Sequence, residues 1–274
     1  MSPGGQRTLL WVGAAALLGI AFALAWGLTA GVRSVLSLFG PPAQAPAAKQ
    51  AAGAPGAAES RRRLTPPWPP GRRADVKLSG DLFARNYYVV LDASGSMNEK
   101  GCSGGKTKID AARQALAEFA KSIPAEANLG LQVFDARGVR EWLPLGVGNR
   151  AEFDAALARV RANGETPLLS AVRNAGASLR AQGARQLGYG EYNLVIVTDG
   201  EASKGEDPTP AVNALLDQSP VVLHTIGFCI GEKHSLNQPG RTLYRAADNP
   251  EQLRAGLAEV LAEAPTFAVL EFGK

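Results

Sequence analysis

The chain has 274 residues, 46% hydrophobic and 20% charged, with 29 Lys+Arg against 25 Asp+Glu. This is enough apolar material for a sizeable core, and it excludes a wholly disordered or collagen-like chain. Two cysteines and two histidines exclude a disulfide-dense mini-domain, a four-cysteine zinc finger, a three-histidine catalytic zinc site and a di-iron bundle.

Charge divides the chain. Residues 1–80 carry 9 basic and 2 acidic side chains, whereas residues 81–274 carry 20 and 23. The positive excess therefore belongs to the N-terminal arm. The remainder is mildly acidic and offers little to nucleic-acid phosphates, so no nucleic-acid partner is expected.

Residues 1–8 form a short tail. From Thr8 to Val32 no residue is charged, with Arg7 before and Arg33 after. As a helix, Leu9–Ala30 would span roughly 33 Å, against a hydrocarbon core of roughly 30 Å. A cleaved signal peptide has an apolar stretch of only about 7–15 residues. The nearest small-residue pattern, Ala43-Gln44-Ala45, lies well downstream and is followed by Pro46. The expectation is one uncleaved transmembrane helix over 9–32, a signal anchor with Trp11 and Trp26 near its ends.

Arg7 and the N-terminal amine nearly balance Arg33, and Arg61, Arg62 and Arg63 would argue for a cytoplasmic C-terminal side. An anchor at the extreme N-terminus commonly acts as an export signal. The domain is therefore expected outside the cytoplasmic membrane, in the periplasm or at the cell surface. Residues 33–80 read as a basic Pro/Ala-rich linker, because 8 Pro and 9 Ala fill 41–70 and leave little to bury.

A domain is expected over 81–274. Tyr87-Tyr88-Val89-Val90-Leu91 is an unbroken apolar run, the mark of a strand covered on both faces. Ile109, Ala112, Leu116, Phe119 and Ile123 recur at helical steps, with Thr107 and Asp110 as a capping start and Pro124 as the stop. Asn128–Phe134 and Val139–Leu145 read as strands joined near Arg137-Gly138. Phe153, Leu157 and Val160 mark a helix, and Pro167–Ala181 another. Tyr192–Val197 is a second buried strand, Pro210–Leu216 a helix and Val221–Ile226 a third buried strand. A short strand follows at Thr242–Arg245, then a helix begun by Asn249-Pro250 with Leu253, Leu257, Val260 and Leu261 inward, and an edge strand over 267–272. Alternating strands and helices predict an α/β fold, a mostly parallel sheet with helices on both faces and ligands beyond the strands' carboxyl ends. No GxGxxG follows the first strand and no GxxxxGK[ST] occurs, so a nucleotide site is not supported.

Three pieces of chemistry arrive at those strand ends. Asp92-Ala93-Ser94-Gly95-Ser96 places a carboxylate and two hydroxyls on alternate residues, able to turn their oxygens toward one point. Thr166-Pro167 offers a hydroxyl before a helix, and Thr198-Asp199-Gly200 ends the second buried strand with a carboxylate. An all-oxygen set suits magnesium, manganese or calcium rather than zinc or copper.

Together these residues closely resemble the von Willebrand factor type A (VWA) family and its metal-ion-dependent adhesion site (MIDAS): DxSxS, a threonine in a TP turn and an aspartate in a TDG turn. Asp92, Ser94, Ser96, Thr166 and Asp199 match all five positions, and the resemblance covers about 83–272. It implies a Rossmann-like fold and a divalent cation, Mg2+ ahead of Mn2+ or Ca2+. The hydroxyls would touch the ion directly and the aspartates directly or through water. One coordination seat would be left for an Asp or Glu of a protein partner. The reading is a membrane-tethered, metal-dependent protein-binding module for adhesion or scaffolding.

Two alternatives are a cytoplasm-facing adaptor of a chaperone-like ATPase complex and a metal-dependent hydrolase. A strand-end aspartate with magnesium resembles the haloacid-dehalogenase phosphatases, but Ser94 stands where those enzymes carry a second aspartate. His224 in an apolar strand and His234 in a polar loop read as packing and surface residues, and no base is paired with Ser94 or Ser96. No enzymatic activity is expected. Cys102 and Cys229 fall in loops at the same sheet edge. A disulfide there would clamp the metal face and fit an oxidising compartment, the alternative being two unrelated thiols.

Overall fold

In the computed structural model, the described residues are 68–69 and 76–262. The expected transmembrane segment over 9–32 and the strand over 267–272 lie outside them.

Six strands form one sheet: β1 (Arg85–Asp92), β2 (Asn128–Asp135), β3 (Gly138–Gly146), β4 (Glu191–Thr198), β5 (Val221–Phe228) and β6 (Leu243–Ala247). Their order is β3-β2-β1-β4-β5-β6. Only β3 runs antiparallel, returning from β2 through a two-residue turn. The helices are α1 (Lys108–Ser122), α2 (Arg150–Arg159), α3 (Leu168–Arg185), α4 (Thr209–Gln218) and α5 (Pro250–Ala262).

The alternation of β1 shows why both faces need cover. Tyr87, Val89 and Leu91 join α1, α2 and α5 in one core, whereas Tyr88 and Val90 join α3 and α4 in the other. A strand buried on both sides reads as a continuous apolar run, and β1 and β4 do. β3, at the sheet edge, is only half-buried and shows no such run.

Local chemistry fixes the helix starts. The Asp110 amide donates to Thr107 Oγ1 at 3.2 Å, and the Gln252 amide donates to Asn249 Oδ1 at 2.9 Å. Each satisfies an otherwise orphaned N–H. For α3 the acceptor is distant in sequence: the Glu206 carboxylate takes the Ser170 amide at 2.8 Å and the Ser170 hydroxyl at 2.9 Å. Trp68 lies edge-on to Tyr192, ring centroids 5.2 Å apart.

From β1 the chain first winds outward through β2 and β3, then crosses back to β4 and winds the other way. The order reverses between β1 and β4. In such sheets that reversal opens a crevice at the carboxyl ends of the two strands.

Candidate functional site

Asp92 ends β1 and Asp199 follows β4, so the two carboxylates face each other across the crevice. Two bonds aim the Asp92 carboxylate: the Ser94 amide donates to Oδ1 at 2.8 Å and the Thr198 hydroxyl to Oδ2 at 2.6 Å. A 3-10 turn over Gly95–Asn98 brings Ser96 round. Its hydroxyl lies 3.1 Å from the Ser94 hydroxyl and donates to Asp199 Oδ1 at 2.8 Å.

Thr166 arrives on a separate loop strapped to this turn. The Gly95 amide donates to the Gly164 carbonyl at 2.9 Å, and the Asn163 amide to the Ala93 carbonyl at 2.8 Å. Gly164 has a φ of +100°, and a Cβ there would stand 2.6 Å from the Ala136 backbone. Only glycine fits. The Thr166 amide then donates to Ser203 Oγ at 3.0 Å. A Cβ on Gly200 would be 3.8 Å from both Ser96 Oγ and Thr166 Oγ1, so those hydroxyls flank one point. The structure thus brings Asp92, Ser94, Ser96, Thr166 and Asp199 to one place on the carboxyl rim.

Burial pushes the Asp92 carboxyl up to about 6. The bonds from Ser94 and Thr198 work against that rise, while the neighbouring Asp199 charge adds to it. Sequence reasoning missed Lys108. Its ammonium is 7% exposed and donates to Asp199 Oδ2 and Glu99 Oε2, each at 2.9 Å. Burial alone would lower its pKa, but the two carboxylates hold it above the ordinary lysine value. One signal was present: Lys108 is the first residue of α1, where a cation opposes the helix dipole unless something pairs with it.

The donors fit a hard cation. At Mg–O distances of 2.0–2.1 Å, neighbouring ligands of an octahedron stand about 2.9 Å apart, whereas calcium distances stretch that to about 3.4 Å. The Ser94 and Ser96 hydroxyls lie 3.1 Å apart, and the Ser96 hydroxyl lies 2.8 Å from Asp199 Oδ1, so the three oxygens are close enough to face one ion. Among the described residues no group of three or more His, Cys, Asp or Glu converges. At the carboxyl rim the Ser94, Ser96 and Thr166 hydroxyls stand beside the two carboxylates.

His224 is buried in β5, as expected of a packing residue, with Nε2 3.3 Å from Asn193 Oδ1. His234 corrects the sequence reading, because it is buried rather than on the surface. Its Nδ1 accepts the Leu236 amide at 3.0 Å, so Nε2 carries the proton and donates to the Gly200 carbonyl at 3.0 Å. The TDG turn is braced from behind, which no local pattern in the loop announces.

Cys102, in the loop after the 3-10 turn, is joined to Cys229 at the end of β5, with Cα atoms 6.2 Å apart. On the opposite flank a cavity of about 430 Å3 is lined by Arg137, Arg140, Glu141, Trp142 and Arg159. The Arg140 and Arg159 guanidinium carbons lie 5.3 and 5.7 Å from the Trp142 ring centre. No helix among the described residues is long and apolar enough to cross a membrane.

Residues 87–201 match the family model described as von Willebrand factor type A domain. Two proteins of Bacillus subtilis (strain 168) described as uncharacterized, YwmD and YwmC, are 28% and 27% identical over 157 and 156 residues. The aligned stretch is 52% of this chain and covers 67% and 66% of theirs. Among solved structures, a von Willebrand factor type A protein from Catenulispora acidiphila aligns with a TM-score of 0.53 at 19% identity, over 66% of this chain and 42% of that one. The pilus adhesin SpaC from Lactobacillus rhamnosus GG aligns with 0.52 at 16%, over 67% of this chain and 30% of that one. An aerotolerance-related membrane protein from Bacteroides fragilis NCTC 9343 aligns with 0.51 at 14%, over 66% and 98%. The fold is VWA-like: α/β, with a mostly parallel six-stranded sheet covered by helices.

Proposed function

We propose that this chain is a von Willebrand factor type A module that binds a protein partner through a divalent cation. The convergence of Asp92, Ser94, Ser96, Thr166 and Asp199 at the β1/β4 reversal carries the reading. Two carboxylates balance a divalent ion, three neutral hydroxyls leave it electrophilic, and an Asp or Glu of the partner takes a remaining seat. An all-oxygen set of carboxylates and hydroxyls suits Mg2+, with Mn2+ and Ca2+ as the alternatives.

A structural neighbour of this fold, SpaC, is described as a pilus adhesin, and another as a membrane protein. Both descriptions are in keeping with a binding role at an envelope. In this reading residues 9–32 anchor the chain in the membrane and the Pro/Ala-rich stretch before Trp68 links that anchor to the domain, against which Trp68 packs. The Cys102–Cys229 pairing favours the outward-facing orientation over the cytoplasmic one. The module is read as binding without turnover: both histidines are engaged elsewhere, and the carboxylate that accepts from Ser96, Asp199, is itself paired with Lys108.

Retention of the purified full chain on beads bearing a glutamate-rich peptide tests this. Retention in Mg2+, release by chelator and loss in Thr166→Ala are expected. Retention indifferent to chelator and to that substitution contradicts the reading.

A further inference from the structure

Lys108 is the buried group that the proposed metal site does not account for. It reaches the site from the first turn of α1, and its ammonium lies between two carboxylates at 2.9 Å each. The two are unequal: the Asp199 side chain is fully buried, whereas that of Glu99 is 66% exposed. Water screens Glu99 strongly, so the lysine charge is felt mainly on the Asp199 side.

Asp199 divides its oxygens. Oδ1 faces the cradle and accepts from Ser96, while Oδ2 faces away and accepts from Lys108. A cation entering beside Ser94, Ser96 and Thr166 meets Oδ1, and Lys108 keeps its hold on Oδ2. The ammonium is therefore not displaced. It remains as a second positive charge within a few ångströms of the ion.

The count of buried charge follows. Without a cation, Lys108 partners Asp199, so the domain does not leave that carboxylate buried and unpaired. With a divalent ion, the buried carboxylates Asp92 and Asp199 supply two negative charges against three positive ones, and the third negative charge, Glu99, sits 66% exposed on the far side of Lys108. The loaded site carries an excess positive charge that water cannot fully screen, and an anion on the open seat removes it.

We infer that Lys108 weakens cation binding and makes it cooperative with binding of a carboxylate, so that the site holds its metal firmly only when an acidic partner is present. This rests on the metal-dependent reading above. It adds the reason that the ligand should be a carboxylate and not a neutral amide or hydroxyl. By linkage, the carboxylate raises cation affinity by the same factor as the cation raises carboxylate affinity.

The test is calorimetric titration of Mg2+ and Mn2+ into the metal-stripped full chain, with and without acetate. Wild type, Lys108→Met, Lys108→Arg and Glu99→Gln are compared, and each protein's Tm is read without metal. A unit charge this close changes affinity by about tenfold or more at protein-like screening. Lys108→Met should bind the cation at least about tenfold tighter, lose most of the acetate enhancement and melt lower without metal. Lys108→Arg should keep the wild-type pattern. Glu99→Gln, which removes an exposed negative charge, should weaken cation binding by a few-fold.

Should Lys108→Met fail to fold, the Arg and Gln variants still decide, and tighter binding in Glu99→Gln overturns the inference. Equal or weaker cation binding in a folded Lys108→Met, beside a wild type that binds, overturns it too while leaving the metal site standing. No cation binding in any of the four, even with acetate, removes the metal site itself and the inference with it.

Discussion

The Thr198 hydroxyl, on the last residue of β4, donates to Asp92 Oδ2 at 2.6 Å from the last residue of β1. The strand that delivers one site carboxylate thus aims the other, because β4 ends in a side chain that reaches back across the sheet. Thr198→Val keeps the shape and removes the donor. A lost second-layer bond of this kind costs about tenfold or more in metal affinity. A buried acceptor left short of a donor costs about 1–3 kcal/mol of stability. Titration with Mg2+ and urea unfolding should both register the change, and a variant that alters neither removes Thr198 from the site.

Gly164 should prove intolerant. Alanine there meets both a φ of +100° and the Ala136 backbone at 2.6 Å. Gly164→Ala should destabilise by about 2 kcal/mol or more. It should also weaken cation binding, because the loop it distorts carries Thr166. A stable variant with wild-type binding contradicts the strap between the two loops.

His224 gives a pH signature. Burial lowers its pKa from 6.5 to about 4, so the unfolded chain takes the proton first. Its contribution to stability is complete above about 6.5 and is lost as pH falls toward about 4. Asp92 acts oppositely in the metal-free protein, since its raised pKa lets the folded state bind a proton first as pH falls through about 6. The two overlap, so the variant His224→Asn is needed to separate them. Wild type should lose stability relative to that variant between pH 6.5 and 4, and parallel curves would contradict the assignment.

Reducing Cys102–Cys229, which closes a loop over a sequence separation of 127, should lower stability by about 2–4 kcal/mol. Denaturant unfolding with and without reductant measures it. Unchanged stability in a fully reduced sample would show that the bridge contributes nothing.

Much of this fold was legible where one local rule decided the outcome. The unbroken run Tyr87–Leu91 announced a strand covered on both faces, and Thr107 announced the start of α1. The resemblance to the VWA motif singled out Asp92, Ser94, Ser96, Thr166 and Asp199, and the structure places these five together on the carboxyl rim. What escaped depended on distant partners. Glu206 starts α3 from 36 residues away, and His234 braces Gly200 from 34. Lys108 drew no sequence reading, because only the folded sheet brings Asp199 to it across 91 residues. The sheet order, too, is set by packing between elements and has no local sequence signal.

The proposed binding role stands on five oxygen-bearing residues holding a divalent cation. Calorimetric titration of Mg2+ into the metal-stripped full chain, against Asp92→Asn and Thr166→Ala with folding checked by circular dichroism, tests it most directly. Wild type should bind at about millimolar affinity or tighter, with acetate strengthening the binding and both folded variants showing none. Identical heats in wild type and variants, or no binding in wild type even with acetate present, would contradict it.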